Sequence, residues 1–104
     1  SLTERNKDLE RALGYAKKAV KLEPNNSSYL DTIGWTYFKL NDLKRAKKYI
    51  KQSIDIQSEN SVVLEHYGDI LMKSNDPVKA LDYYRKAYEY DSENQQLKNK
   101  AFPD

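Results

Sequence analysis

The feature that leaves this chain the fewest ways to fold is a match to itself. Residues 27–60, SSYLDTIGWTYFKLNDLKRAKKYIKQSIDIQSEN, lie without a gap over residues 61–94, SVVLEHYGDILMKSNDPVKALDYYRKAYEYDSEN, at a period of 34. Eleven positions are identical, including Leu30/Leu64, Gly34/Gly68, Asn41/Asn75, Asp42/Asp76, Ala46/Ala80 and Tyr49/Tyr83. Asp31/Glu65, Ile33/Tyr67 and Lys51/Arg85 are conservative pairs. A repeat of this length is one pair of helices that cannot bury its apolar face alone, so copies stack into an array. The fold class is therefore all-α, with antiparallel helix hairpins as the unit.

Apolar spacing places the helices. From Asp8 onward, Leu9, Ala12, Leu13, Ala16, Ala19 and Val20 recur every three or four residues, the pattern of one helical face. Asp8 is the expected N-cap, and Glu23-Pro24-Asn25-Asn26 ends the helix. Ahead of Asp8 the chain is polar, with only Leu2 to bury. A second helix is predicted from Ser27 to about Leu40, burying Leu30, Ile33, Gly34, Tyr37 and Phe38. Asp42 caps a third, to about Ile56, lined by Leu43, Ala46, Ile50, Ser53 and Ile54. A fourth, from Ser61 to about Lys73, carries Leu64, Tyr67, Gly68 and Leu71. Pro77 suits the first position of a fifth, where its missing N–H is no loss. That helix runs to about Tyr90 and buries Ala80, Leu81, Tyr84, Ala87 and Tyr88. A short sixth, Gln95 to about Ala101, sets Leu97, Ala101 and Phe102 against it. No alternating run or hairpin signal supports a strand. Glycine inside a helix costs about 1 kcal/mol relative to alanine. Gly34 and Gly68 therefore mark close helix approach, with Ala46 and Ala80 as the expected facing surfaces.

These positions resemble the tetratricopeptide repeat (TPR). Its pattern of large apolar residue, Leu-Gly, Tyr, Ala and a larger residue four on is matched by Leu30-Ile33-Gly34-Tyr37-Ala46-Ile50 and Leu64-Tyr67-Gly68-Leu71-Ala80-Tyr84. Ser53 and Ala87 take the later small position, and Ser58 and Ser92 stand where the family places Pro. Ala12, Ala16, Ala19 and Pro24 match only the second half of a repeat. The resemblance, which extends to C-terminal arrays of bacterial TPR proteins, implies a right-handed solenoid. It divides the chain into a half repeat over 8–26, full repeats over 27–60 and 61–94, and a short helix and tail over 95–104. An array opening on a half repeat reads as part of a longer one, and such an open end is able to form a homodimer with a second copy.

The chemistry of function is sparse. With 18 basic and 16 acidic residues the net charge is only +2, which argues against a chain built mainly to hold phosphates. Without cysteine there is no disulfide framework, thiolate nucleophile or thiolate metal site. No apolar run reaches the ~20 residues of a membrane helix, and the compartment, cytoplasm or bacterial cell envelope, stays open. His66 is the one histidine, and its neighbours in sequence offer no nucleophile or metal partner. Asp31, Glu65 and Asp69 are expected near one another as binding or solvated charges. Three glycines form no phosphate-cradling cluster. The expectation is a protein that is not an enzyme and needs neither cofactor nor metal. Lys44, Arg45, Lys47, Lys48 and Lys51 make a basic cluster on one helix, read as a solvated outer face rather than a nucleic-acid site.

What the resemblance adds is a concave surface lined by the first helix of each repeat, able to take a peptide or a partner's segment. In this chain it implies Ser28, Asp31, Thr32, Trp35, Phe38 and Lys39 from one repeat. Val62, Glu65, His66, Asp69, Met72 and Lys73 follow from the next. Trp35 stands where the family tends to place a polar residue, often Asn; an aromatic there suits a binding anchor or packing on a neighbouring helix. Chaperone-binding TPR domains grip a terminal carboxylate with cations and amides at these positions. Here Asp31, Trp35, Glu65 and Asp69 occupy them, so a ligand of basic and apolar character is expected instead. The reading is a non-enzymatic protein-interaction module or scaffold; the alternative is a structural spacer or self-association segment of a larger protein.

Overall fold

The computed structural model describes residues 2–104, apart from the side chain of Leu2; the expected burial of Leu2 falls outside those limits. Six helices follow one another: α1 (Leu2–Leu22), α2 (Ser27–Lys39), α3 (Leu43–Ile56), α4 (Ser61–Lys73), α5 (Pro77–Glu89) and α6 (Gln95–Ala101). Each packs on the next along the chain. The closest pairs are α2 with α3 and α4 with α5, and α2 also touches α4. This is the order of stacked antiparallel hairpins, with α2, α4 and α6 sharing one side.

Local chemistry fixes the ends of these helices. Asn26, Asp42, Asn60, Asp76 and Asn94 are N-caps whose side chains accept from backbone amides of the first turn. The corners inside the two hairpins are copies of each other. Asn41 and Asn75 stand at φ 63° and 62°, the left-handed region that Asn tolerates better than most residues. The amide of Asp42 donates to the Tyr37 carbonyl and that of Asn41 to Phe38, both at 2.9 Å. Asp76 to Leu71 and Asn75 to Met72 repeat the pattern at 2.9 and 3.2 Å. That pair of bonds is a Schellman motif, which satisfies the last carbonyls of α2 and α4.

Three expectations need correction. Helix α1 starts at Leu2 rather than Asp8. Residues 3–8 are exposed, so the extension rests on propensity: Glu4, Arg5 and Lys7 favour helix and nothing before Asp8 breaks it. Asp8 is thus inside the helix, 4.0 Å from Arg11. Ala12 is exposed and Ala19 half-buried, so the inner face of α1 is narrower than its spacing implied, with Leu13 and Ala16 at its centre. Finally, the glycines face large residues. A Cβ at Gly34 would meet Ile50 Cγ1 at 2.7 Å and Cδ1 at 2.8 Å; one at Gly68 would meet Tyr84 Cδ1 at 2.6 Å. Ala46 and Ala80 are wholly buried, but the nearest atoms belong to the residue four further on. Each glycine makes room for a bulky side chain from the second helix of its hairpin.

The core is continuous from Leu13 and Ala16, through Ile33, Tyr37, Ile50, Leu64, Tyr67, Ile70 and Tyr84, to Leu97 and Ala101. Val63 and Ile70 join it though the periodicity singled out neither, and Phe102, expected inside, is half exposed against Tyr88. Buried Ser53 donates to the Ser27 carbonyl at 2.7 Å, tying the end of α3 to the start of α2.

Candidate functional site

The twelve expected surface residues all lie on α2 and α4. Ser28, Thr32, Lys39, Val62, Met72 and Lys73 are exposed, while Asp31, Trp35, Phe38, Glu65, His66 and Asp69 are partly buried. The second six are partly buried because they touch one another or a third helix.

The first cluster joins α2 to α4. Trp35 lies flat on His66, ring centroids 3.8 Å apart and planes 14° apart. Its other neighbour is Phe38, at 4.6 Å and 20°. The His66 Nδ1 is 2.8 Å from Asp31 Oδ1; bonded to a carboxylate, that nitrogen carries the proton. The partner that the local sequence of His66 lacks thus comes from the preceding inner helix. Trp35 packs on a neighbouring helix and still keeps part of its surface open.

The second cluster joins α4 to α5 and α6. Lys100 Nζ donates to Glu65 Oε2 at 2.7 Å and to Asp69 Oδ1 at 3.1 Å. Tyr84 donates its hydroxyl to the same Asp69 oxygen at 2.6 Å, and Lys100 Nζ stands 5.6 Å from the Tyr84 ring centre. Burial, reinforced by the bond to Asp69, pushes the Tyr84 hydroxyl well above its ordinary range. Burial works against the Lys100 cation, but its bonds to Glu65 and Asp69 outweigh this and raise its pKa.

Both clusters occupy one repeat register. Glu65 is Asp31 plus 34, Asp69 is Trp35 plus 34, and Lys100 is His66 plus 34. The result is a ladder: a carboxylate on one inner helix takes a proton donor from the next, Asp31 from His66 and Glu65 from Lys100. Sequence reasoning missed Lys100 because it treated the tail as outside the repeat; carrying the register six residues past Asn94 finds it. It also took Tyr84 as core alone and overlooked its hydroxyl.

Asp31, Glu65 and Asp69, expected as binding or solvated charges, each have an internal partner instead, and the inner cations without an ion pair among the described residues are Lys39 and Lys73. Nearby hydroxyls are engaged too, Thr32 with the Ser28 carbonyl at 2.9 Å and Thr36 with that of Thr32 at 2.8 Å. No group of three or more metal-ligating side chains is arranged for an ion, and no helix is long and apolar enough to cross a membrane, among the described residues. In the basic cluster of α3, Arg45 bonds Asp42 at 2.7 Å and Lys51 bonds Asp55 at 2.5 Å.

Comparison with known proteins agrees with this geometry. The profile of the tetratricopeptide repeat family matches residues 1–103. Among solved structures, MamA superposes with a TM-score of 0.83 at 19% identity, over 94% of this chain and 57% of its own. The first TPR of Spaghetti (RPAP3), bound to the HSP90 peptide SRMEEVD, gives 0.86 at 14% identity, over 93% and 77%. YrrB, described as a TPR protein with an unusual peptide-binding site, gives 0.81 at 25% identity, over 96% and 52%. The chain spans only a little over half of MamA and YrrB. No curated protein matches it at a significant level.

Proposed function

Because the chain belongs to the tetratricopeptide repeat family, we propose that it is a non-enzymatic protein-interaction module whose inner surface on α2 and α4 takes a peptide or an extended segment of a partner. Family membership and the peptide-bound structural neighbour support the general reading. The observation that carries the specific one is Trp35, held flat on His66 and Phe38 but not fully covered. A rigid aromatic loses little entropy on contact, which is why such residues anchor interfaces. Phe38 and Met72 extend the apolar strip and share a repeat position.

The ladder changes the expected ligand. With Asp31 on His66 and Glu65 and Asp69 on Lys100, apolar contact at Trp35 supplies most of the affinity, and net acidity of the clusters only biases against a terminal carboxylate. Selection from a displayed random-peptide library, followed by calorimetry, tests this. Trp35→Ala should weaken the selected peptides at least ~10-fold, the usual loss at an anchor worth more than ~1.4 kcal/mol. Unchanged binding by a folded Trp35→Ala protein refutes the inner-surface assignment.

A second reading rests on α1. Tyr15 is 66% and Leu22 82% exposed, and Ala12 is exposed although its repeat equivalents Ala46 and Ala80 are wholly buried. That face suits self-association, in which case the chain is a spacer or pairing segment. Sedimentation at increasing concentration decides: a rising mass that Tyr15→Lys abolishes supports it, and a constant monomer mass removes it.

A further inference from the structure

A second candidate surface lies apart from Trp35, at the corners where α1, α3 and α5 end. Two surface pockets open there, of about 450 Å³ and 380 Å³. The first is lined by Val20, Leu30 and Ile56; the second by Ile54, Leu64 and Tyr90. Those sets are 34 residues apart, position for position. The corner residue Pro24 becomes Ser58, the carboxylate Asp55 becomes Glu89, and Gln52 becomes Lys86, so the second pocket carries a cation that the first lacks. They are one pocket built twice, each time between the end of one outer helix, the start of the next inner helix and the end of the next outer helix. Ile56 and Tyr90 remain 48% and 49% exposed at the two mouths.

Charge separates this edge from the rest of the molecule. The corner segments themselves, residues 23–26, 57–60 and 90–94, hold four carboxylates (Glu23, Glu59, Asp91, Glu93) and no cation, while Asp55 is already paired with Lys51 and Glu89 shares its pocket with Lys86. The whole chain is at +2, so the local excess of four negative charges is set against the overall sign. The carboxyl ends of α1, α3 and α5 and the amino ends of α2, α4 and α6 meet at these corners, so the helix dipoles offset one another and the corner carboxylates set the sign.

We propose that this edge binds an extended partner segment carrying two apolar side chains, one per pocket, each flanked by Lys or Arg. Apolar side chains fill the pockets; the cations meet the corner carboxylates, Glu23 next to Pro24 at the first and Glu59 next to Ser58 at the second. The surface is independent of Trp35, so it stands whether or not the inner surface binds anything. Its periodicity gives it a signature that a single pocket lacks: one molecule can bridge two equivalent sites.

The probes are the capped dipeptide acetyl-Leu-Arg-amide and a series of two such units joined by Gly-Ser linkers of increasing length. Amide shifts of the labelled protein report binding. The single unit should move the amides of Asn25 and Ile56 and those of Ser58 and Tyr90, with similar weak affinities. One linker length should bind at least ~10-fold tighter than the single unit, because the second contact becomes intramolecular. Ile56→Ser should remove the first set of shifts and Tyr90→Ser the second, each returning the tethered probe to single-unit affinity; both side chains are half exposed, so the fold tolerates the changes. Trp35→Ala should leave all of this unaltered. Absence of these shifts at the solubility limit of the probe, or loss of binding in Trp35→Ala, overturns the proposal. So does movement of the same amides with protein concentration alone, which would place a second copy there.

Discussion

Adding one methyl group at Gly34 tests how the hairpin closes. In an exposed helix, Gly→Ala gains about 1 kcal/mol through backbone entropy. Gly14 provides that reference, since a Cβ there meets nothing within 4 Å. At Gly34 the same Cβ would sit 2.7 Å and 2.8 Å from Ile50 Cγ1 and Cδ1 and 3.1 Å from the Ile50 backbone nitrogen. Ile50 is wholly buried and stiff at its first torsion, so it cannot swing aside, and its backbone nitrogen cannot move without shifting α3. Overpacking of this kind costs roughly 1–3 kcal/mol. Against a propensity gain of about 1, we expect Gly34→Ala to be destabilised by roughly 0–2 kcal/mol, and so to lie roughly 1–3 kcal/mol below Gly14→Ala. For a domain of this size 1 kcal/mol shifts Tm by roughly 4–8 °C. Urea unfolding followed by circular dichroism measures the free energy. Ile50→Ala alone should cost about 2–5 kcal/mol, but the double variant should fall short of the sum by about 1–3 kcal/mol because the clash is gone. If Gly34→Ala is as stable as Gly14→Ala, or the two costs add, the glycine does not set the approach of α2 and α3 and the packing argument fails.

Three further outcomes follow from the same structure. Asn41→Ala should lose about 1 kcal/mol in urea unfolding, the penalty for a Cβ-bearing residue without a polar side chain in the left-handed region, while Asn41→Gly should match or exceed the parent; equal stability of Ala and Gly there would remove the corner argument. Both Tyr84 and Lys100 have folded pKa values above their unfolded ones of 10.0 and 10.5, so their contribution is intact below about pH 10 and is lost as pH rises through the folded values. Urea midpoints should therefore be flat near neutrality and fall above about pH 10, with Lys100→Met and Tyr84→Phe each shallower; an unchanged slope in both variants would contradict the cluster. Lys100→Met should also raise amide exchange in α6 ahead of global unfolding, since the remaining ties of α6 to α5 are its two buried residues Leu97 and Ala101 and the Arg85 bond to the Ala101 carbonyl at 3.0 Å.

Register explains both what the sequence revealed and what it hid. Identical residues at a period of 34 carried local information, caps and corners, into both hairpins, so α2 to α5 were placed within a residue or two. The six residues before Asp8 had no second copy and no apolar period, and the extension of α1 there came from propensity alone. Gly34 could be read as a point of approach, but which residue it approaches depends on the crossing of α2 over α3, which spacing along one helix does not contain. At the candidate site the positions were legible and the pairings were not. His66 reaches Asp31 across 35 residues and Lys100 reaches Glu65 across 35. Those contacts arise only when two inner helices are set side by side.

The ladder also bears on how recognition is divided between the two surfaces. Charges on the inner helices hold successive repeats together, so exchanging Asp31, Glu65 or His66 to suit a ligand would loosen the stack as well. Trp35 and Asp69 share one repeat position yet do different work, one stacking between Phe38 and His66 and the other completing the Lys100 cluster. If the inner surface binds as proposed, variation in ligand choice is cheapest at Trp35, half-buried Phe38 and the exposed Lys39, Met72 and Lys73. At the corner edge the constraint is reversed. Asp55 and Glu89 are exposed, and Asp55 is tied only to Lys51 on its own helix, a surface pair worth little to stability. Carboxylates there can be gained or lost without unstacking the helices, which leaves that edge freer than the inner surface to follow a partner's charge.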